Sequence, residues 1–537
     1  MRKLSGLCIL LLYVCIGVPL WYKLTTIFRA QLPINYINSL HESKFQDVHM
    51  VIPVYIKSSV YRFPDLHTAV QTQINYLLDS KPQLIPWSLQ VLPYDEDIIA
   101  DANTRNVSYH VIDLVLDNDV GLYISRDADE TIVFFSDETV VSNDLPFFIA
   151  QTVVEYTFKL EFTRLGKYPI LPPNNISIAY TPTVHLSLSL LTGDGNPVTW
   201  EIDSALKKYF SPIRSMISPI TNFTVDTNII YYNDLNLHKL DNISTVTWED
   251  ISHTLDLSEL STLNDYDELV SLNLAVVFPS NKTDDGLDFI TPTSISNSTF
   301  TNSTNLINWE SFIVPRWGVL IINKYPYDNN TMLTDDYLST VLETFSEDLL
   351  RLLDLSDEHI NFATPYITLN SYKRLLTLHN MDRAVETIWS LSRLTQNFKQ
   401  MSIPSEVLSN VNKALHLRLE IADLLNNPLL GDNKLWSQVL VMSNELVELC
   451  ESAFFHGEMV QQNFLPQEHK IAVYLPLLGP ISIIVIFGFM KVAREEGTVP
   501  DGSSTPSVGS DNEKYTEENL KGVTNSEGES ETETDVE

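Results

Sequence analysis

Two apolar, uncharged stretches, Leu4 to Tyr22 and Ile471 to Met490, stand near opposite ends of the sequence. Each is about 20 residues long, the length at which a helix spans a bilayer's hydrocarbon. All eight Asn-x-Ser/Thr acceptors lie between them, at Asn106, Asn175, Asn222, Asn242, Asn281, Asn297, Asn302 and Asn329. Sugar is added to such acceptors only on the non-cytosolic side of a membrane, so the middle of the chain is expected to be lumenal or extracellular. Arg2 and Lys3 precede the first stretch, and Lys491 and Arg494 follow the second. The positive-inside rule therefore puts both termini in the cytosol. Lys23 and Arg29 pull the other way, and the sequons break the tie. A cleaved signal peptide is the competing reading of the first stretch, but Phe28-Arg29-Ala30 puts a bulky Phe where cleavage wants a small residue.

The expected organisation is a short cytosolic N-terminus (1–3), a transmembrane helix (4–22) and a lumenal α/β domain (23–333). A lumenal helical section (334–470), a second transmembrane helix (471–490) and an acidic, disordered cytosolic tail (491–537) follow. The fold class is mixed α/β, of the α+β kind, with a C-terminal helical section, flanked by two single spans. The formal charge is −35, and residues 495–537 contribute thirteen acidic residues against two lysines. A surface this acidic repels phosphate backbones, which argues against nucleic-acid binding. Cys8 and Cys15 sit in the first apolar stretch, leaving Cys450 as the one thiol between the stretches. An intrachain lumenal disulfide is then impossible, and the middle region must be held by its core.

Residues 31–330 mix strand and helix patterns. Thr183 to Leu190 alternates with period two, the pattern of a half-buried strand, while Leu272 to Phe278 and Gly318 to Ile322 read as continuously buried strands. Asp65 is placed to N-cap a helix reaching about Leu78, and Pro146 to open one reaching about Leu165. The sequons from Asn281 to Asn302 mark an exposed polar loop. From Thr334-Asp335-Asp336, a further cap, the pattern becomes helical: one segment to about Leu355, then 371–400, 405–426 and 433–463. Apolar residues recur there at three and four, a core stripe. Cys450 falls on one such stripe with Trp436, Val439 and Leu446, and is expected to be buried.

No self-contained catalytic motif is present: no His-Glu-x-x-His, Gly-x-Ser-x-Gly, Walker loop or Gly-x-Gly-x-x-Gly. No catalytic residue, cofactor site or metal site is assigned. Asp95-Glu96-Asp97, Asp117 with Asp119, and Asp284-Asp285 lie near turns but lack EF-hand spacing, and read as solvated loops. Trp21, Tyr22, Lys23 and Arg29 are lipid-interface candidates, with rings at headgroup level and cations near phosphates. Pro476, Gly479 and Pro480 interrupt the second stretch, as in a span whose freed carbonyls find partners on neighbouring helices. These readings favour a scaffold or recognition subunit. A membrane-anchored lumenal hydrolase with dispersed catalytic residues, and a surface receptor, stay open.

Several segments resemble the PIG-S family in their order along the chain. They are Gly17 to Lys23 with Arg29 to Pro33; Trp200-Glu201-Ile202; Tyr209 to Pro212; Phe223 to Val225; Leu272 to Pro279; Phe312 to Gly318, with a Pro-x-Trp-Gly signature; Trp389 to Leu391; Met401 to Pro404; and Ala472 to Leu477. The likeness covers about residues 5–492 and suggests a fungal form. Two departures stand out: Trp21-Tyr22 where the family often has Trp-Trp, and Leu352-Leu353-Asp354 where it has Leu-Leu-Gly. The resemblance implies a non-catalytic subunit of the endoplasmic-reticulum GPI transamidase, which replaces a proprotein's C-terminal signal with a GPI anchor. It implies as partners the other transamidase subunits, including a caspase-like catalytic one, with GPI lipid and proprotein handled within the complex.

Overall fold

The structure, a computed structural model, describes residues 8–494 apart from 9, 18, 20–27, 59–64, 95–108, 125–129, 172–174, most of 241–269, 281–308, 328–331, 356–364, 399–400, 428–434 and 462–466. The loop expected at Asn281 to Asn302, and the acidic tail beyond 494, therefore lie outside the described residues. Two compact units emerge, one of residues 1–26 with 467–537 and one of residues 27–466.

The larger unit contains two five-stranded sheets with the same construction. In the first, β1 (Met50–Ser58) lies between β2 (Trp87–Pro93) and β3 (His110–Leu116), parallel to both. β5 (Glu130–Phe135) continues parallel to β3, and β4 (Gly121–Ile124) closes the edge antiparallel to β5. In the second, β6 (Thr183–Thr192) lies between β8 (Asn222–Tyr231) and β9 (Val270–Phe278), parallel to both. β11 (Gly318–Asn323) is parallel to β9, and β10 (Trp309–Val314) is antiparallel to β11. Helix also recurs at equivalent places. α1 (Ile34–Glu42) precedes the first sheet, and α2 (Leu66–Asp79) links β1 to β2. α3 (Leu145–Thr152), a π turn and α4 (Lys159–Arg164) follow β5. In the second sheet, Ile202–Ala205, a π turn and α5 (Ser211–Ile217) link β6 to β8, and α6 (Asp335–Leu352) follows β11. A short pair, β7 (Thr199–Trp200) with β12 (Met332–Leu333), ties that link to the start of α6.

Expected and observed elements differ in instructive ways. β6 alternates as expected, yet Ser187 and Ser189 are buried as deeply as Leu186 and Leu188. The strand is central, and its second face is covered by a separate apolar cluster that includes Leu191, Leu235 and Leu237. Asp65 does precede α2, but with φ 62° and no side-chain capping bond. Thr334 likewise makes no side-chain cap for α6; the Glu201 carboxylate instead accepts from the Asp335 N–H at 3.2 Å. The helical section comprises α7 (Pro365–Asn397), α8 (Ser405–Asn426) and α9 (Leu435–Phe454).

α7 binds most of the unit together. Arg374 pairs with Glu161 of α4, both buried, and its guanidinium lies 5.7 Å from the Phe158 ring and 5.0 Å from the Trp436 ring. Asn380 donates to Ser443 (3.0 Å) and Asn444 (2.8 Å) of α9. On the N-terminal side, Lys44 pairs with Asp382 and Glu386, and the His41 ring stacks on Trp389 at 4.0 Å. Arg418 of α8 grips Asp47 and the Lys44 carbonyl. Burial raises the Asp47 and Glu386 carboxyls, but hydrogen bonds and charge from Arg418 and Lys44 outweigh it and hold both below the usual range.

In the smaller unit, a π turn spans Tyr13–Gly17 and α10 spans Gln467–Arg494, with Pro476 and Pro480 inside it. The Tyr13 and Ser482 hydroxyls share a hydrogen bond of 2.6 Å. Among the described residues no helix is long and apolar enough to cross a membrane. The two expected spans therefore do not stand as features of the structure. The described part of these segments nevertheless turns large apolar side chains outward: Leu12, Ile484 and Phe487 are each more than 60% exposed.

Three outcomes follow. Arg374→Ala leaves Glu161 as an uncompensated buried charge and should cost about 3–5 kcal/mol in denaturant unfolding of the full chain. Replacing both partners with apolar residues of similar volume should cost less. Gly318 has φ 147°, and a Cβ there would lie 1.9 Å from the Asn273 carbonyl oxygen, so Gly318→Ala should destabilise by more than about 3 kcal/mol. Complete burial, with the Arg374 charge adding to it, pushes His110 down to about 3. Unfolded, the same ring titrates near ~6.5, so its stabilising contribution is full above that pH and drains away as pH falls toward 3. Melting temperature should consequently fall less between pH 7 and 5 in His110→Gln than in the unsubstituted chain.

Candidate functional site

A cleft of about 720 Å³ in the larger unit opens at the end of the second sheet where β6, β8 and β9 begin. Thr181, Thr221 and Val270 form its floor at those strand starts. One wall is formed by Pro169, Leu171 and Ser177 to Tyr180, a second by the end of α6 at Leu353 to Leu355, and the third by α7. α7 contributes Tyr372, Leu376, His379 and Arg383, four residues spaced to lie on one helical face. The volume is that of a ligand or side-chain binding pocket, and the lining is mainly apolar. Its position differs from that of nucleotide sites in open α/β sheets, which lie beyond the C-terminal ends of the strands.

The described ionisable groups lining the cleft are two arginines, one aspartate, two tyrosines and a histidine. Arg383 is already paired with Glu451, and burial holds His379 below its ordinary range, with Asp382 opposing and Arg383 reinforcing the shift. Tyr180 is pushed up to about 12 by burial; its hydroxyl donates to Ile220 O at 3.1 Å and to Asn444 Oδ1 at 3.2 Å. Arg316 occupies the turn between β10 and β11 with φ 61°, and its N–H donates to the Ile176 carbonyl at 3.2 Å. That turn and Gly318 are the Pro-x-Trp-Gly signature. On the opposite wall Asp354 has φ 58° at the C-terminus of α6. This is a left-handed position that glycine fills most easily.

The lipid-interface candidates separate. Trp21, Tyr22 and Lys23 lie outside the described residues. Arg29 is engaged elsewhere: its guanidinium donates to the carbonyls of Thr395 and Phe398 at the C-terminal end of α7. Cations are favoured there because the last carbonyls of a helix lack intrahelical partners. The neighbouring backbone pairs with Ile403, through Ala30 N to Ile403 O (2.9 Å) and Ile403 N to Phe28 O (3.2 Å). Sequence spacing gave no sign of this contact across more than 360 residues. Of the sequon asparagines, Asn175 and Asn222 are exposed, and the other six lie outside the described residues.

Cys450 is fully buried as expected, and burial followed by the Glu451 charge pushes its thiol up to about 12. His456 turns its Nε2 to Glu406 at 3.5 Å. Asp117 and Asp119 are exposed, and Asp117 Oδ1 accepts from the Asn118 N–H at 2.7 Å. The acidic runs at 95–97 and 284–285 lie outside the described residues. Among those described, no three His, Cys, Asp or Glu side chains come together as a metal ion requires.

Known proteins place these features in a lineage. Residues 8–497 match the family described as Phosphatidylinositol-glycan biosynthesis class S protein. The GPI transamidase component GPI17 of Saccharomyces cerevisiae is 54% identical over 500 residues, 92% of each chain. The GPI transamidase component PIG-S homolog of Schizosaccharomyces pombe is 23% identical, over 92% of this chain and 85% of its own. The human GPI-anchor transamidase component PIGS is 22% identical, over 90% and 93%. With the match running nearly end to end, through both sheets and the helical section, the chain belongs to the PIG-S family.

Proposed function

We propose that this chain is a non-catalytic subunit of the GPI transamidase, the assembly that exchanges a proprotein's C-terminal signal for a GPI anchor. The observation that carries the reading is the 54% identity to a GPI transamidase component across 92% of both chains. The buried, protonated state of Cys450 agrees with chemistry performed on another, caspase-like subunit. The role that fits this chain is to scaffold the complex and help present GPI lipid or proprotein to that subunit.

The proposal includes a place in the cell. Residues 4–22 and 471–490 cross the endoplasmic-reticulum membrane, both termini face the cytosol, and residues 23–470 are lumenal and carry N-linked sugar. The outward-facing Leu12, Ile484 and Phe487 suit a lipid environment, where exposed apolar surface carries no hydrophobic penalty. The Tyr13–Ser482 hydrogen bond supplies a polar contact between the two segments. Trp21, Tyr22 and Lys23 would lie at the lumenal headgroup level.

Affinity purification of the tagged full chain from detergent-solubilised membranes tests the reading. The other transamidase subunits should co-purify in fixed proportion, and endoglycosidase H should increase the chain's mobility. Recovery of the chain alone, under conditions that keep the complex intact, would sink it.

A further inference from the structure

We infer that the 720 Å³ cleft is a docking site for an extended peptide segment of another protein, one with bulky apolar side chains beside a single carboxylate. The inference rests on reading the chain as an assembled subunit, and it names the surface and the chemistry of one contact.

Charge complementarity selects the occupant. The chain carries −35 overall, yet two arginines, Arg316 and Arg383, line this one cleft against one acidic residue among its described lining, Asp354. Arg383 is spent on Glu451. The Arg316 guanidinium is exposed and meets no acceptor among the described residues. One uncommitted guanidinium fork matches one carboxylate, bound through two parallel N–H···O bonds. A phosphate-bearing lipid headgroup calls for several convergent donors, and those of this cleft are dispersed over two elements or already engaged. Three of the lining hydroxyls are likewise occupied: Thr181 donates to the Thr183 carbonyl, Thr221 to the Thr181 carbonyl and Tyr180 to the Ile220 carbonyl. What the described lining offers an incoming chain is therefore mainly apolar surface, from Leu171, Ile178, Val270, Leu355 and Leu376, with the Arg316 guanidinium at its edge.

Backbone geometry points the same way. Arg316 keeps a left-handed conformation that costs an ordinary side chain energy. It is fixed there by the Arg316 N–H bond to Ile176 and by Gly318, whose close approach to Asn273 pins the other side of the turn. Such outliers persist where the surroundings over-determine them, and they cluster at ligand clamps. Here the strain holds Arg316, whose guanidinium has no acceptor among the described residues, beside the apolar floor of the cleft.

The test uses the purified complex. A benzophenone amino acid placed at Val270, which lines the cleft and is 37% exposed, is irradiated in the detergent-solubilised assembly, and the adduct is mapped by mass spectrometry. The expected product is an adduct to one segment of another subunit, with an Asp or Glu within a few residues of the attachment point. Arg316→Glu should lower the adduct yield per recovered complex at least about tenfold, and Arg316→Lys should lower it less. An adduct to lipid or detergent, an adduct to a segment without a nearby acid, no adduct from an intact complex, or an unchanged yield in Arg316→Glu would each overturn the docking site. Absence of the other subunits from the preparation overturns the parent reading instead, so the two failures read differently.

Discussion

Arg374 enters the interior between the rings of Phe158 and Trp436 and meets Glu161 there, and most of the larger unit is arranged around the helix that delivers it. A buried ion pair contributes little net stability over an apolar substitute, yet it penalises any packing that separates the partners. Glu161 belongs to the first sheet's helices and Trp436 to α9, so a shift of α7 along either would strand a charge. The same helix holds the N-terminal segment through Asp382, Glu386 and Trp389, and forms one wall of the cleft through Tyr372 to Arg383. One rigid element thus fixes the cleft relative to the first sheet without any disulfide, as the single thiol between the apolar stretches requires.

The two sheets share a strand order and a pattern of directions, with a crossover helix between the first two strands and a hairpin at one edge. Such repetition suits a chain that must bury a large core without cross-links. Each half forms a mostly parallel sheet of familiar size, and α7 to α9 join the halves into one continuous apolar cluster. The second half differs where it matters for binding. Its hairpin turn carries Arg316 at positive φ, and the cleft lies against that turn.

How much of this could be read from residues alone depends on the range of the interaction. β9, β11 and the helices of the C-terminal section were legible, because apolar runs and three-to-four periodicity are local signals. The burial of Cys450 followed from its helical stripe. The duplication was not legible, since strand order is set by pairing between distant segments and leaves no period in the sequence. β6 misled for a related reason: alternation reports side-chain chemistry, and a central strand covered on both faces buries its serines as well. Capping showed the same limit at Asp335, where the acceptor is Glu201, more than 130 residues away in sequence. Arg29 read as an interfacial cation from its neighbours, while its partners are the last carbonyls of α7.

The Pro-Arg-Trp-Gly turn shows how one short segment can serve both fold and site. Gly318 is dictated by the second sheet, because β11 meets β9 so closely at Asn273 that no Cβ fits. Trp317 packs against the cluster on the sheet's outer face, and its carbonyl accepts from the Asn273 N–H at 2.9 Å. With both neighbours committed to the sheet, Arg316 has little backbone freedom left, and its positive φ follows from theirs. Its side chain is exposed and meets no acceptor among the described residues. A residue whose backbone is fixed by the fold and whose side chain is released by it is well placed to carry specificity.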